Sequence, residues 1–232
     1  MNKSKLLKTI VAIVSVVAIS VGGYTYRDAI HSRIARTAAV VSGQEIKLLL
    51  DSEGRYIRQI VAKDNSTSRT IMWQSDSSEA DAVIEYRLDG SENIQGIGAT
   101  DKVFTDDGST TYIHEATLTG LTPSTKYEYR VGYGNDRRSD WYSLETAGAS
   151  VYDVLIYPDS QSGDYSQWEQ IVKDSAHRNP RTALYISMGD LVDNGEQDYQ
   201  WRTWLNSIRP LSATVPLATT LGNHEMYTLD WK

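Results

Sequence analysis

There is no cysteine among the 232 residues. That absence removes disulfides, thiolate zinc sites and cysteine nucleophiles. It also removes a lipid-modified cysteine behind the N-terminal apolar run. Positive charge is in short supply: 23 Lys and Arg stand against 30 Asp and Glu, a net charge of -7. A protein that tracks a phosphate backbone usually presents a basic face, so nucleic acid is not an expected partner. A surplus of carboxylates leaves room for cation sites instead. No apolar run reaches the ~20 residues of a comfortable membrane span. What is present is ordinary for a globular protein: 40% hydrophobic and 23% charged residues, which excludes wholesale disorder.

Lys3, Lys5 and Lys8 precede an apolar run from Ile10 to Val21, followed by Gly22 and Gly23. A basic stretch before a short apolar one is the pattern of a secretory signal or a signal anchor. Ala18-Ile19-Ser20 supplies small residues for cleavage. Residues 1–23 are therefore expected to direct export, either removed or kept as a membrane anchor, and 24–46 to form a tether. From Gln44 onward the chain is expected outside the cytoplasm, secreted or held at the membrane.

From Lys47 short alternating runs begin. Arg58–Ala62, Arg69–Gln74, Ala82–Leu88, Thr111–Leu118, Tyr127–Tyr133 and Trp141–Thr146 read as strands separated by Asp89-Gly90, Asp107-Gly108 and Gly134-Asn135 turns. This spacing predicts an all-β sandwich over 47–147. Leu121-Thr122-Pro123-Ser124-Thr125-Lys126-Tyr127 resembles the E–F corner of fibronectin type III domains. There a tyrosine entering the strand bonds back to the corner backbone, and Trp73 occupies a core aromatic position.

After Ala147-Gly148-Ala149 the rhythm changes. Val151–Tyr157, Thr182–Met188 and Val215–Leu221 read as buried strands, and Ser166–His177 and Gln197–Ile208 as helices. The order β-α-β-α-β predicts a parallel sheet with right-handed crossovers. Two helices cannot cover both faces of such a sheet, so Val215–Leu221 is expected to be an exposed, unpaired edge.

Each of these strands ends in polar residues: Asp159-Ser160-Gln161, Gly189-Asp190-Leu191-Val192-Asp193-Asn194-Gly195 and Gly222-Asn223-His224-Glu225. Asp159, Asp190 and Asn223 lie 31 and 33 residues apart. One β-α unit takes about 30 residues, so the three clusters fall side by side at the carboxyl edge, where ligands of open α/β sheets bind. Asp159 and Asp190 offer hard anionic oxygens to a cation, and Asn223 a neutral one. His224 offers an imidazole for a phosphate oxygen or a leaving group. His31, His114 and His177 read as surface or packing residues.

Gly-Asp-Leu-Val-Asp-Asn-Gly and Gly-Asn-His-Glu resemble the second and third motifs of the calcineurin-like metallophosphoesterases, and the preceding sandwich points to the purple acid phosphatase type. The resemblance covers about residues 50–232. It implies an α+β multidomain chain: signal or anchor, fibronectin III-like sandwich, then over 151–232 the first β-α-β-α-β half of a phosphoesterase α/β sandwich. It implies that Asp159 binds one metal, Asp190 bridges two, Asn223 binds the second and His224 is catalytic. The cofactors would be two divalent or trivalent ions (Fe, Mn or Zn), and the substrate a phosphate-ester small molecule. The chain departs from the family at three places. Gln161, a weak oxygen ligand, replaces a first-motif histidine. Asp193 replaces the tyrosine of the purple enzymes, so no purple colour is expected; it would instead hold the loop or a ligand from behind. The later motifs, a lone His and a Gly-His-x-His, do not follow Glu225. A C-terminally incomplete site without competent turnover is therefore expected. The alternatives are a non-catalytic remnant serving as a surface binding module, and an extracellular nucleotidase or nuclease of the same superfamily.

Overall fold

Alternation decides which faces of the N-terminal region meet. Strand β2 (Ser68–Ser75) buries every second residue, Arg69, Ile71, Trp73 and Ser75, and β7 (Lys126–Tyr133) does the same with Tyr127, Tyr129, Val131 and Tyr133. A computed structural model describes residues 54–75, 81–106, 109–135, 137–148, 152–162 and 165–226. The expected signal segment 1–23 and tether 24–46, with His31, lie outside them. Around β2 and β7 two sheets form. The larger contains β1 (Arg55–Ile60), β2, β5 (Thr100–Asp106) and β6 (Ser109–Thr119). The smaller contains β3 (Ala82–Leu88), β4 (Gln95–Gly98), β7, β8 (Arg137–Arg138) and β9 (Tyr142–Glu145). Their inner faces share one core: Ile57, Ile71, Trp73 and Leu118 from one sheet, and Ile84, Tyr86, Tyr129, Val131 and Leu144 from the other. Each such side chain is worth roughly 1.5–3 kcal/mol on burial. At the corner the Thr122 N–H donates to the Tyr127 hydroxyl at 3.0 Å.

Strands β4 and β5 have no counterpart in the sequence reading. Gln95–Gly98 carries two glycines and β5 is largely polar. Both owe their form to partners: β5 pairs over seven residues with β6, from Thr100↔Glu115 to Asp106↔Ser109. His114 is fully buried between the Trp73 and Tyr133 rings. Its Nε2 bonds Ser75 Oγ at 2.8 Å and its Nδ1 bonds Asp101 Oδ1 at 2.6 Å, tying β2, β6 and β5 together.

The second part holds β10 (Asp153–Tyr157), α1 (Ser166–Arg178), β11 (Thr182–Ser187), α2 (Asp198–Ser212) and β12 (Leu217–Thr219). The three strands are parallel and adjacent in chain order. Trp168 and Val172 of α1, and Trp204, Leu205, Ile208 and Leu211 of α2, pack on Tyr157, Tyr185 and Leu217. Ile156 points away from that core and is 61% exposed. The expected unpaired edge is corrected by the structure: β12 lies between β11 and β1, with Ile60 opposite Leu217 and the Val61 N–H donating to the Leu217 carbonyl at 3.1 Å. One seven-stranded sheet, β10-β11-β12-β1-β2-β6-β5, thus runs through both parts. The N-terminal region supplies the neighbour that the sequence reading did not foresee.

Helix α2 also runs past the expected end at Ile208, through Pro210 to Ser212. Proline disfavours a helix interior, but the final turn is anchored from outside. Ser212 Oγ donates to the Ile57 carbonyl at 3.2 Å. The Ala213 carbonyl accepts from Gln59 Nε2 at 2.9 Å and from the Tyr129 hydroxyl at 2.8 Å.

Candidate functional site

Three loops leave the carboxyl ends of β10, β11 and β12, and the ladder carries into them: Met188 N–H donates to Tyr157 O at 3.0 Å and Thr220 N–H to Ser187 O at 3.1 Å. The second loop then turns sharply, with positive φ at Gly189 (97°) and Asp190 (45°). The conformation is costly for Asp190 and natural for glycine. Two glycines let the second and third loops touch. A Cβ on Gly189 would stand 2.9 Å from Gly222 N, and one on Gly222 would collide with Asp190 Oδ1.

Asp190 is the meeting point. Its carbonyl accepts the Ser160 and Gln161 N–H groups of the first loop at 3.0 and 2.9 Å. Its carboxylate Oδ1 accepts the His224 N–H of the third loop at 2.9 Å. His224 Nδ1 lies 2.8 Å from the Asp193 carbonyl. A carbonyl only accepts, so Nδ1 carries the proton, and in the neutral ring Nε2 is the acceptor. The Gly195 N–H closes the same contact by donating to His224 O at 3.0 Å.

Glu225 fastens the second loop to the third. Its Oε1 accepts the Leu191 and Val192 N–H groups at 2.6 and 3.1 Å, and its Oε2 those of Asp190 and Gly222 at 2.9 and 2.7 Å. One carboxylate thus satisfies four backbone donors of two loops. Behind the loops stands α2. Trp204 Nε1 donates to Ser160 Oγ at 2.9 Å, and Trp201 Nε1 to Gly195 O at 2.8 Å. Gln200 Oε1 accepts from Asp193 N and Asn194 N at 2.7 and 3.1 Å. Beside them the Tyr165 hydroxyl is pushed up to about 12 by burial. The polar tips of a mostly apolar helix face were the available signal for these supports: Gln200 and Trp204 are one turn apart.

Of the expected site residues, Asp190 and His224 are joined directly. Asn223 precedes His224 on the same exposed turn, and Asp159 is exposed at the start of the first loop. Asp193 meets His224 through its carbonyl, and its 57% exposed side chain places Oδ1 3.6 Å from His224 Nδ1. His177 is exposed near the end of α1. Among the described residues no three His, Asp or Glu side chains gather at cation-binding spacing.

Two family models match. Residues 56–146 fit "Purple acid Phosphatase, N-terminal domain", and residues 139–232 fit "Calcineurin-like phosphoesterase". The chain belongs to the calcineurin-like metallophosphoesterases, with an N-terminal domain of the purple acid phosphatase type. It is 29% identical over 136 residues to a "Probable inactive purple acid phosphatase 1" of Arabidopsis thaliana, covering 49% of this chain and 22% of that one. It is 30% identical over 124 residues to a purple acid phosphatase of Glycine max, covering 50% and 26%. The chain thus spans about a quarter or less of the length of these relatives. A solved purple acid phosphatase from yellow lupin (Lupinus luteus) seeds superposes with a TM-score of 0.67 at 22% identity, covering 75% of this chain and 36% of that one, which shows the fold.

Metallophosphoesterases of this type generally use a dinuclear metal centre. The donors here suit a cation: two carboxylates, an exposed Asn223, and Gln161, whose buried Oε1 has no hydrogen-bond partner among the described residues. A buried carbonyl oxygen without a donor is satisfied by an ion or a water.

Proposed function

We propose that this chain carries the Asp159, Asp190, Asn223 and His224 part of a metal-dependent phosphate-ester hydrolase site that acts outside the cytoplasm. The observation that supports it most is the convergence of the three loops on Asp190, whose carbonyl holds the first loop and whose carboxylate holds the third. Asp159, Asp190 and Asn223 would hold Fe, Mn or Zn, with Gln161 as an additional weak oxygen donor. Such a centre, when bound, polarises a phosphoryl oxygen and lowers the pKa of water. The Asp193 carbonyl keeps the neutral His224 ring protonated at Nδ1, so Nε2 would accept a proton and, once protonated, donate to the phosphoryl group or pass that proton to the leaving oxygen. Glu225 holds the frame and is spent on backbone donors. The N-terminal region is read as a fibronectin III-like sandwich, and residues 1–23 as the exporting segment. The substrate is a small phosphate ester, with extracellular nucleotides in the same chemical class.

A second reading, a non-catalytic module, draws on two observations. The described donors include no group of three His, Asp or Glu, and three similar proteins bear the description "probable inactive". Hydrolysis of an aryl phosphate with Mn, Fe, Zn or Mg added separates the two. Metal-dependent turnover lost in Asp190→Asn and His224→Ala supports the enzyme. Metal binding without turnover fits the incomplete site expected of this chain, and absence of metal binding assigns it to the second reading.

A further inference from the structure

Helix α2 ties the N-terminal β region to the first and second loops, beside the β1–β12 pairing that seats the strand before the third. At its C-terminal end the Ala213 carbonyl takes two donors from that region, Tyr129 Oη at 2.8 Å and Gln59 Nε2 at 2.9 Å, and Ser212 Oγ donates to Ile57 O at 3.2 Å. Gln59 is itself held, donating to Ser143 O at 2.8 Å and accepting from Arg69 Nη1 at 3.0 Å. Arg69 and Gln59 are almost wholly buried, and that burial lowers the Arg69 guanidinium to about 10. A fourth tie joins Arg202 Nη2 to Thr111 Oγ1 of β6 at 3.3 Å. At the other end of α2, Gln200, Trp201 and Trp204 hold the first and second loops at Ser160, Asp193, Asn194 and Gly195. From Gln200 to Ala213 the axis spans about 20 Å at ~1.5 Å per residue.

We infer that the N-terminal β region is a positioning element of the candidate site. Tyr129 and Gln59 set where α2 ends, and α2 sets where the Ser160 and Asp193–Gly195 backbones stand. Hydrogen bonds at both ends of a packed helix transmit displacement, because a close-packed core shifts as a body rather than absorbing it. Trp204 and Ile208, on the stretch between, are almost wholly buried and leave the helix little room to move alone. Tyr129 and Gln59 are positioning residues: neither touches a loop that carries a proposed ligand. The inference rests on the proposed function only in treating the loops as a metal site.

The experiment is amide hydrogen exchange by NMR on the full chain and two variants. Tyr129→Phe removes the hydroxyl from the Ala213 carbonyl. Tyr127→Phe removes a hydroxyl of the same kind from the Thr122 corner, away from α2, and serves as the control for general loss of stability. Exchange at Ser160, Gln161, Asp193, Asn194 and Gly195 is expected to speed up in Tyr129→Phe by about fivefold relative to Tyr127→Phe, the factor of one lost neutral hydrogen bond. Equal exchange at those amides in the two variants overturns the inference, whatever their melting temperatures. A Mn2+ titration of the same samples, with Asp190→Asn beside them, keeps the two proposals apart. Unchanged Mn2+ binding in Asp190→Asn sinks the metal-site reading, while the exchange data still decide the coupling.

Discussion

Replacing Glu225 with glutamine keeps the side chain's shape and reverses half its chemistry. In the native chain both oxygens accept, four N–H groups in all, from Asp190, Leu191, Val192 and Gly222. An amide has one accepting oxygen and one NH2 that only donates. Whichever way it is turned, two backbone N–H groups then face the NH2 and lose their acceptor. Hydrogen bonds to a charged group are worth about 1.5–3 kcal/mol each, but these loops are partly open to water, which replaces some of the loss. The expected destabilisation is about 2–4 kcal/mol in urea unfolding, and Glu225→Gln should be at least as damaging as Glu225→Ala. Glu196→Gln, on an exposed residue of the second loop, should stay within about 0.5 kcal/mol of the parent. A Glu225→Gln protein as stable as the Glu196→Gln control would show that the carboxylate does not join the loops.

Tyr127→Phe should cost about 1 kcal/mol by urea unfolding, one hydrogen bond at the Thr122 corner. His114→Ala empties the space between Trp73 and Tyr133 and removes the bonds to Ser75 and Asp101, for about 3 kcal/mol or more; a change below about 1 would deny the buried placement. Glu85 has a pH signature. Burial pushes its carboxyl up, but bonds from Arg138 and Arg130 outweigh that and hold it below its usual value of 4.5. A depressed folded-state pKa gives stability present above about 4.5 and lost as pH falls through the folded value. The melting-temperature gap between parent and Glu85→Gln should therefore be wider at pH 7 than at pH 3. A reporter fused after Thr146 should be active outside the cytoplasm; activity confined to the cytoplasm would refute the export role of residues 1–23.

The parts of the fold that were legible in the sequence are those with strong local pattern. Alternation in Ser68–Ser75 and Lys126–Tyr133, the apolar runs of β10 and β11, and α1 beginning at Ser166 could be read directly. Polar β5 could not, because its strand form comes from pairing with β6, a contact absent from local pattern. Nor could the seating of β12 beside β1, which joins residues 60 and 217 through a single register contact. At the site, glycines at 189 and 222 marked sharp turns, and the structure shows why: the loops cross where a Cβ would collide. Glu225 was visible as a letter in Gly-Asn-His-Glu, but its partners are backbone N–H groups, which carry no sequence signal. The supports on α2 were hidden for a related reason. Trp201 and Trp204 look like core aromatics, and only the fold shows that their indole N–H groups meet loop oxygens.

The central claim is that Asp190 draws three loops into one metal site, and calorimetric titration of Mn2+ into the chain and into Asp190→Asn and Glu196→Gln tests it most directly. The account predicts saturable binding in the parent, the same binding in Glu196→Gln, and none in Asp190→Asn. Binding of equal strength in all three, or none in the parent, would contradict it.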